Sequence, residues 1–217
     1  SNLGLMLVRT VVTFVMTPVM VRALRDFDYG IWMLVGSVLG YMGLLQLGLV
    51  PATSRFAAKF RAEEDHDKLE ELLATTTLFL LGLSILCALG LLTWAVVGPG
   101  ALSENEQDIE RYAIFLAIMA GSVLISFTGR VFGSFLEGYQ AFTHKNAITV
   151  VHSIVWAAGF LAFHQRFDPL LLIAGLSAVL NALMYVSFFA ILRKRLHPPL
   201  RLRLRLFSRS MLRRLFR

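Results

Sequence analysis

The sequence predicts an all-α integral membrane protein with six transmembrane helices. Its residues are 57% hydrophobic and only 16% charged, and the mean hydropathy is +0.68. Six apolar runs are each long enough to cross a hydrocarbon core of about 30 Å at about 1.5 Å per residue. The connections between the runs are short and carry most of the charge, which excludes a soluble domain of useful size between them.

The six predicted spans form one transmembrane lobe, residues 1–192, which a basic tail follows at residues 193–217. The approximate limits of the spans are 3–24, 30–54, 75–97, 112–136, 147–163 and 169–192. The first span does not have the features of a secretory signal, because it lacks a basic lead and a small-residue cleavage site. Because it begins so abruptly, we expect further residues to precede it in a longer protein.

Two capping boxes predict where helices begin in the connections. Asp67 stands three residues before Glu70, and Ser103 stands three residues before Glu106. This spacing lets a side chain at each end of the first turn bond to a free backbone amide. We therefore expect a surface helix over residues 55–73 that leads into the third span, and a helix start just before the fourth.

The distribution of basic residues predicts the orientation. The connections after spans two, four and six, with the tail, hold fifteen lysines and arginines, whereas the opposite connections, with Arg22 at the end of the first span, hold four. Basic residues accumulate on the cytoplasmic side of membrane proteins. Both ends of the chain are therefore predicted to be cytoplasmic.

Four of the predicted spans carry polar residues at helical spacing. These stripes are Arg9, Thr13 and Thr17; Ser122, Ser126, Arg130 and Ser134; Thr149, His152 and Trp156; and Ser177, Asn181 and Tyr185. Residues three and four apart share one side of a helix. Stripes on several helices predict a shared polar cavity inside the bundle, although helix packing through small hydroxyl residues would give the same pattern.

Two arginines inside the apolar runs are the leading candidates for a binding site. Arg9 and Arg130 each lie roughly 9 Å from the cytoplasmic end of their span at about 1.5 Å per residue, and Arg55 closes the second span on the same side. Charged residues inside a membrane need a partner or a water-filled cavity, and the guanidinium fork suits bidentate phosphate binding. The alternative is that these arginines extend to the lipid headgroups.

Two glycine pairs at four-residue spacing, Gly36 with Gly40 and Gly129 with Gly133, predict close helix packing. The sequence contains no Walker-type phosphate loop, no GxGxxG and no HExxH motif, and no histidine pair has metal-ligand spacing. We therefore expect no metal, no cofactor and no enzymatic activity.

The run RALRDFDYGIWMLVGSVLGYMGLLQLGLVPATSRFAAKF, Arg22 to Phe60, resembles the start of the polysaccharide transporter family. This family comprises the oligosaccharide-lipid flippases of the multidrug/oligosaccharidyl-lipid/polysaccharide exporter superfamily. The matching elements are Tyr29-Gly30, Leu47-Gly48-Leu49 and Arg55. The segment EGYQAFTHKN, Glu137 to Asn146, is similar to the family's connection between spans four and five.

The resemblance implies a protein of the bacterial inner membrane that flips polyprenyl-diphosphate-linked oligosaccharides by alternating access of two six-helix lobes. This chain would be the N-terminal lobe, and its tail would lead to a second lobe in the same protein or to a dimer partner. The diphosphate would contact Arg9, Arg130 and Arg55, and the sugars would occupy a cavity lined by hydroxyl, amide and imidazole groups. The predicted lining residues are Thr13, Thr17, Ser122, Ser126, Ser134, His152 and Asn181. Proteins of polysaccharide assembly are further candidate partners.

Three alternatives remain open. The cargo is a cell-wall lipid precursor in the first, and a small molecule of another exporter of the superfamily in the second. The third is a membrane-embedded transferase acting on polyprenyl phosphates, for which Glu137 with His144 or His152 is the candidate catalytic set. A transferase needs such a carboxylate or histidine within reach of the substrate.

The basic tail is predicted to bind the membrane surface. In residues 207–217, one helix face carries Phe207, Met211 and Leu215, and the other faces carry Arg209, Arg213, Arg214 and Arg217. Such a helix is typical of the interface of a membrane with anionic headgroups. Nucleic-acid binding is not expected for a tail on a membrane protein.

Overall fold

The computed structural model describes residues 2–44, 46, 48–98, 100, 105–195 and 203–216, with the side chains of residues 2–9, 42, 44, 195 and 204 outside that description. Within these residues the regular secondary structure is entirely helical, without strands. The helices are α1 Asn2–Ala23, α2 Asp26–Leu44, α3 Leu49–Ala62, α4 His66–Val97, α5 Glu106–Gly138, α6 Phe142–Phe163, α7 Pro169–Arg195 and α8 Arg209–Leu215, with a 3₁₀ turn at Leu204–Leu206. The predicted all-α class is confirmed.

Four helices of the described chain are long and apolar enough to cross a membrane, namely α4, α5, α6 and α7 as far as Lys194. In α1 the apolar stretch Thr10–Ala23 falls in the shorter class. These helices confirm an integral membrane protein.

The predicted second span, residues 30–54, is not one helix. It is divided between α2 and α3, and Gly48 between them has φ +85°, a conformation that L side chains rarely adopt. Pro51 then lies in the first turn of α3, where its missing N–H removes no helical hydrogen bond. The interruption directs α3 away from α2 and onto the rest of the bundle.

Helix α3 packs against α4 and α5 through one apolar side. Its buried residues are Leu49, Ala52, Thr53, Ala57 and Phe60. The approach to α5 is close because Gly138 has no side chain: a Cβ there would lie 2.7 Å from the Ser54 carbonyl oxygen.

The expected surface helix over residues 55–73 is wrong, since α3 ends at Ala62 and α4 already begins at His66.

The predicted capping residues are also displaced. Asp65, rather than Asp67, caps α4 by accepting a hydrogen bond from the Lys68 backbone amide at 3.0 Å. The side-chain hydrogen bond from Lys68 lowers the pKa of Asp65 below its usual value. Asn105 caps α5 through the Gln107 amide at 3.1 Å, and the predicted cap Ser103 lies outside the described residues.

An ion-pair network joins the N-terminal ends of α2, α5 and α7. Arg111 on α5 binds Asp28 on α2 through two hydrogen bonds of 3.0 and 2.7 Å, and its Nε donates to Asp168 at 2.5 Å. Tyr112 also donates to Asp28, at 3.1 Å. Asp168 in turn accepts from the Leu171 amide at the start of α7. Three predicted external connections therefore meet at one end of the bundle.

At the opposite end, α8 folds back onto α4 and α3. Ser208 caps α8, and its own amide donates to Thr75 on α4 at 3.1 Å. Met211 and Leu215 are buried against the bundle, whereas Phe207 is exposed. The predicted amphipathic helix exists, but its apolar side contacts protein rather than lipid. Its arginines at 209, 213 and 214 face outward.

Candidate substrate cavity and arginine site

A cavity of about 300 Å³ lies between α1, α2, α6 and α7. Its described lining is Val12, Thr13, Met16, Thr17, Met20, Trp32, His152, Ser153, Trp156, Ser177 and Asn181. Hydroxyl, amide, imidazole and indole groups thus face one partly open space in an otherwise apolar bundle, where Thr13 and Thr17 are exposed. A few polar groups within a concave, partly apolar wall are the usual composition of a small-molecule site.

Four predicted lining residues meet at this cavity, namely Thr13, Thr17, His152 and Asn181. Thr13 and Thr17 face it because α1 presents Thr13, Met16, Thr17 and Met20 at helical spacing. The Thr17 hydroxyl donates its hydrogen bond to the Thr13 carbonyl of the same helix at 2.7 Å. The Thr17 hydroxyl oxygen can therefore still accept a hydrogen bond from a molecule in the cavity.

The serines of α5 lie outside this lining. Ser122 is buried, and its hydroxyl accepts a long hydrogen bond of 3.5 Å from the Asn181 amide. Ser134 is also buried and donates to the carbonyl of Arg130 in its own helix at 3.1 Å. Ser126 is half-buried. Ser122 therefore positions a cavity residue, whereas Ser134 completes the hydrogen bonding of its helix.

Arg130 lies apart from the cavity lining, near the interruption between α2 and α3. Its Nη1 donates to Gln46 Oε1 at 2.8 Å, and its guanidinium lies 4.9 Å from the centre of the Phe127 ring. The Tyr185 hydroxyl also interacts with it. Among the described residues no carboxylate is within salt-bridge distance of Arg130. A half-buried cation in a membrane helix thus has neutral partners here.

The other two predicted arginines are placed differently. Arg55 is exposed on α3, with its guanidinium 5.5 Å from the neighbouring Phe56 ring. The side chain of Arg9 lies outside the described residues, although its backbone belongs to α1 one turn before Thr13. Arg55 and Arg130 thus have different surroundings, and the contact of the three arginines with a diphosphate stays a prediction.

The whole chain, residues 1–217, matches the family described as "Polysaccharide biosynthesis protein". The chain belongs to this polysaccharide biosynthesis protein family. The resemblance seen in its sequence is thereby confirmed, and the chain is a membrane protein of polysaccharide synthesis or export. Neither the curated proteins nor the solved structures give a match.

In this family member, the C-terminal end of α5 is held by charges and an aromatic contact. Glu137 forms an ion pair with Lys145 on α6. Arg61 donates to the Tyr139 carbonyl at 2.7 Å, and its guanidinium lies 4.5 Å from the Tyr139 ring. Burial raises the pKa of Tyr139 to about 12. Glu137, the carboxylate of the transferase alternative, is therefore engaged by a cation and does not line the cavity that His152 lines.

Several cavity residues of the polysaccharide biosynthesis protein were not among the predicted lining residues. Trp32 and Trp156 supply aromatic surface, and Trp156 donates through Nε1 to the Ser177 hydroxyl at 3.1 Å. Trp156 and Ser177 stood on the predicted stripes, so their spacing contained the signal. Trp32 had no such signal, because its neighbours on α2 form no polar stripe. Gln46 also carries no such signal, because its hydropathy context predicts one continuous helix over residues 30–54.

Proposed function

We propose that this protein is a flippase that carries polyprenyl-diphosphate-linked oligosaccharides across the cytoplasmic membrane for surface polysaccharide assembly. The observation that carries the proposal is the cavity of about 300 Å³ within the helix bundle. Its threonine, serine, asparagine and histidine groups can replace the water lost by sugar hydroxyls, while Trp32 and Trp156 offer flat apolar surface. Family membership in polysaccharide biosynthesis agrees with such a cargo.

In the proposed architecture, α1 and α2 are spans in addition to the four longer helices, which makes one six-span lobe of a two-lobed transporter. The 19 residues of α2 reach about 28 Å at about 1.5 Å per residue, close to the thickness of the hydrocarbon core. The shared ion-pair network of Asp28, Arg111 and Asp168 agrees with α2 running beside α5 and α7. A second lobe, in the same protein or in a dimer partner, would close the transport path.

The substrate would be divided among three environments. The sugars would occupy the cavity, and the polyprenyl tail would stay in the bilayer beside the outward face of α1, where Phe14 is 82% exposed. The diphosphate would contact arginine, with Arg130 the best-described candidate and Arg9 and Arg55 as further ones. Rocking of two lobes would expose the site to each side in turn.

Binding and release are the only chemistry in this proposal, so the protein is not an enzyme. The exposed arginines of α8 and the preceding turn would face the anionic headgroups of the cytoplasmic leaflet, with both ends of the chain on that side. This placement keeps the predicted lipid contact of the tail while its apolar side is held by α3 and α4.

The test is translocation by the full-length protein in proteoliposomes, using an oligosaccharide-lipid whose fluorescent label is quenched only from outside. Asn181→Leu removes the cavity amide at similar volume and is expected to slow translocation about tenfold, the usual consequence of losing one hydrogen bond to a buried polar ligand. Ser187→Ala, on the same helix, is the matched control, because its hydroxyl only donates to the Leu183 carbonyl.

Two results would oppose the proposal. The first is unmodified protein that leaves the label distribution unchanged, and the second is Asn181→Leu translocating as fast as Ser187→Ala. A transferase would instead release a modified polyprenyl product, and Glu137→Gln with His152→Gln would abolish that product while leaving lipid binding intact.

A further inference from the structure

The interruption between α2 and α3 places a polar side chain inside the bundle. Gln46 is 3% exposed. Its backbone groups are used locally, since its amide donates to the Gly43 carbonyl and its carbonyl accepts from Leu49, both at 3.1 Å. The side-chain amide is therefore the polar group of Gln46 that must find partners elsewhere.

One half of that amide is satisfied by Arg130. Nη1 of Arg130 donates to Oε1 at 2.8 Å, and since a guanidinium has only donors, the oxygen must be the atom that faces it. Phe127 packs on the guanidinium, and Gly43 lies beside it, since a Cβ at Gly43 would be in van der Waals contact with Nη1 at 4.0 Å. These contacts, together with the Tyr185 hydroxyl, hold the guanidinium in one place. A guanidinium has five donors, so further donors are available to another ligand.

The other half of the amide has no partner among the described residues. Gln46 Nε2 is buried and makes no hydrogen bond within the described part of the chain. Because Oε1 and Nε2 belong to one planar group, Nε2 lies beside the guanidinium that Oε1 holds. A buried donor without an acceptor is costly, and here it adjoins a cation that no described carboxylate neutralises. An oxyanion would satisfy both groups, because it accepts hydrogen bonds from Nε2 and neutralises the guanidinium.

We propose that Gln46 and Arg130 form a phosphate subsite at the interruption between α2 and α3, and that it takes the diphosphate of the lipid carrier. This inference rests on the proposed function and adds Gln46 as a specificity-determining residue. Arg130 supplies charge and charge-assisted hydrogen bonds. Gln46 orients the guanidinium through Oε1 and donates to a phosphate oxygen through Nε2. Neither residue lines the cavity, so the diphosphate and the sugars would be held by separate parts of the lobe.

Binding is measured on the full-length protein in phosphatidylcholine nanodiscs, with polyprenyl diphosphate as the probe. Polyprenyl monophosphate, inorganic pyrophosphate and phosphatidylglycerol serve as competitors that separate the carrier from a free anion and from an ordinary headgroup. Gln46→Leu removes the amide at similar volume, and Gln46→Glu places a carboxylate against Arg130. Thr77→Val is the matched control, because Thr77 Oγ1 is also a buried polar atom without a partner in the described chain, but on α4.

Gln46→Leu is expected to weaken diphosphate binding about tenfold or more, as the loss of one hydrogen bond to a charged ligand does. Gln46→Glu should weaken it at least as much, since its carboxylate would occupy the guanidinium. Thr77→Val should bind as the unmodified protein does. Polyprenyl diphosphate should outcompete phosphatidylglycerol and pyrophosphate.

Unchanged diphosphate affinity in Gln46→Leu, with an unfolding midpoint equal to that of the unmodified protein, would overturn the subsite. Equal competition by phosphatidylglycerol would overturn its assignment to the carrier. The translocation assay separates this inference from the proposed function. Translocation without any dependence of binding on Gln46 opposes the subsite alone, whereas Gln46-dependent binding without translocation opposes the flippase alone.

Discussion

Asp28 is expected to be the most important carboxylate for the stability of the bundle. It is 2% exposed and accepts two hydrogen bonds from Arg111, at 3.0 and 2.7 Å, and one from Tyr112 at 3.1 Å. Asp28→Asn retains the shape but leaves one acceptor oxygen. Its new NH₂ group would oppose a guanidinium donor, because both are donors.

The size of the effect follows from these contacts. A hydrogen bond to a charged group contributes about 1.5–3 kcal/mol, and breaking a fully buried ion pair costs about 3–5 kcal/mol. Arg111 keeps its 2.5 Å contact with Asp168, so part of the network survives. We therefore expect Asp28→Asn to lower the free energy of unfolding by about 2–3 kcal/mol.

The assay is unfolding in mixed micelles titrated with sodium dodecyl sulfate, followed by circular dichroism. Asp26→Asn is the matched control, because Asp26 lies in the same first helical turn but is exposed, and its loss should cost no more than about 0.5 kcal/mol. If Asp28→Asn unfolds at the same detergent fraction as Asp26→Asn, the network does not stabilise the bundle and the reasoning is wrong.

Two further predictions concern packing. A Cβ at Gly129 would lie 2.3 Å from the Tyr185 ring, whereas one at Gly121 meets nothing within 4 Å. Gly129→Ala should therefore destabilise the protein by about 1–3 kcal/mol in the same unfolding assay, and equal midpoints for Gly129→Ala and Gly121→Ala would contradict this. Met211 is 2% exposed and holds α8 to the bundle, while Leu206 is 37% exposed. Met211→Ser should accelerate trypsin cleavage within α8 several-fold, because it raises the population of molecules whose tail is undocked. Leu206→Ser, the control, should leave the cleavage rate unchanged. If Met211→Ser is cleaved no faster than the unmodified protein, other contacts hold the tail.

The glycine pairs show which helix contacts a spacing pattern can predict and which it cannot. Both pairs predicted close packing, and Gly129 and Gly133 on α5 do lie against α7, next to Tyr185 and Phe188. A Cβ added at Gly36 or Gly40 on α2 would meet no atom of the described residues within 4 Å. The pattern states that a close approach is sterically possible. Whether another helix lies there depends on the arrangement of the bundle.

The candidate site likewise contains residues whose placement the sequence predicts and others whose placement it does not predict. Helical spacing was enough to place Thr13, Thr17, His152 and Asn181 on faces that meet at one cavity. It was not enough to place Arg130, because the described lining of the cavity includes no residue of α5. Gln46, the hydrogen-bond partner of Arg130, lies in a turn, whereas the hydropathy of the sequence predicts a continuous span there.

The sequence by itself determined the membrane class, the helical content and the family, because these depend on composition, on the length of apolar runs and on local motifs. Only the tertiary structure decided the interruption at Gly48, the pairing of Asp28 with Arg111 and Asp168, and the burial of Met211 and Leu215 against protein. The physical reason is that an apolar helix face or a charge within a span specifies that a partner is needed. Which partner meets it depends on residues far away in the chain, brought close only when the helices pack.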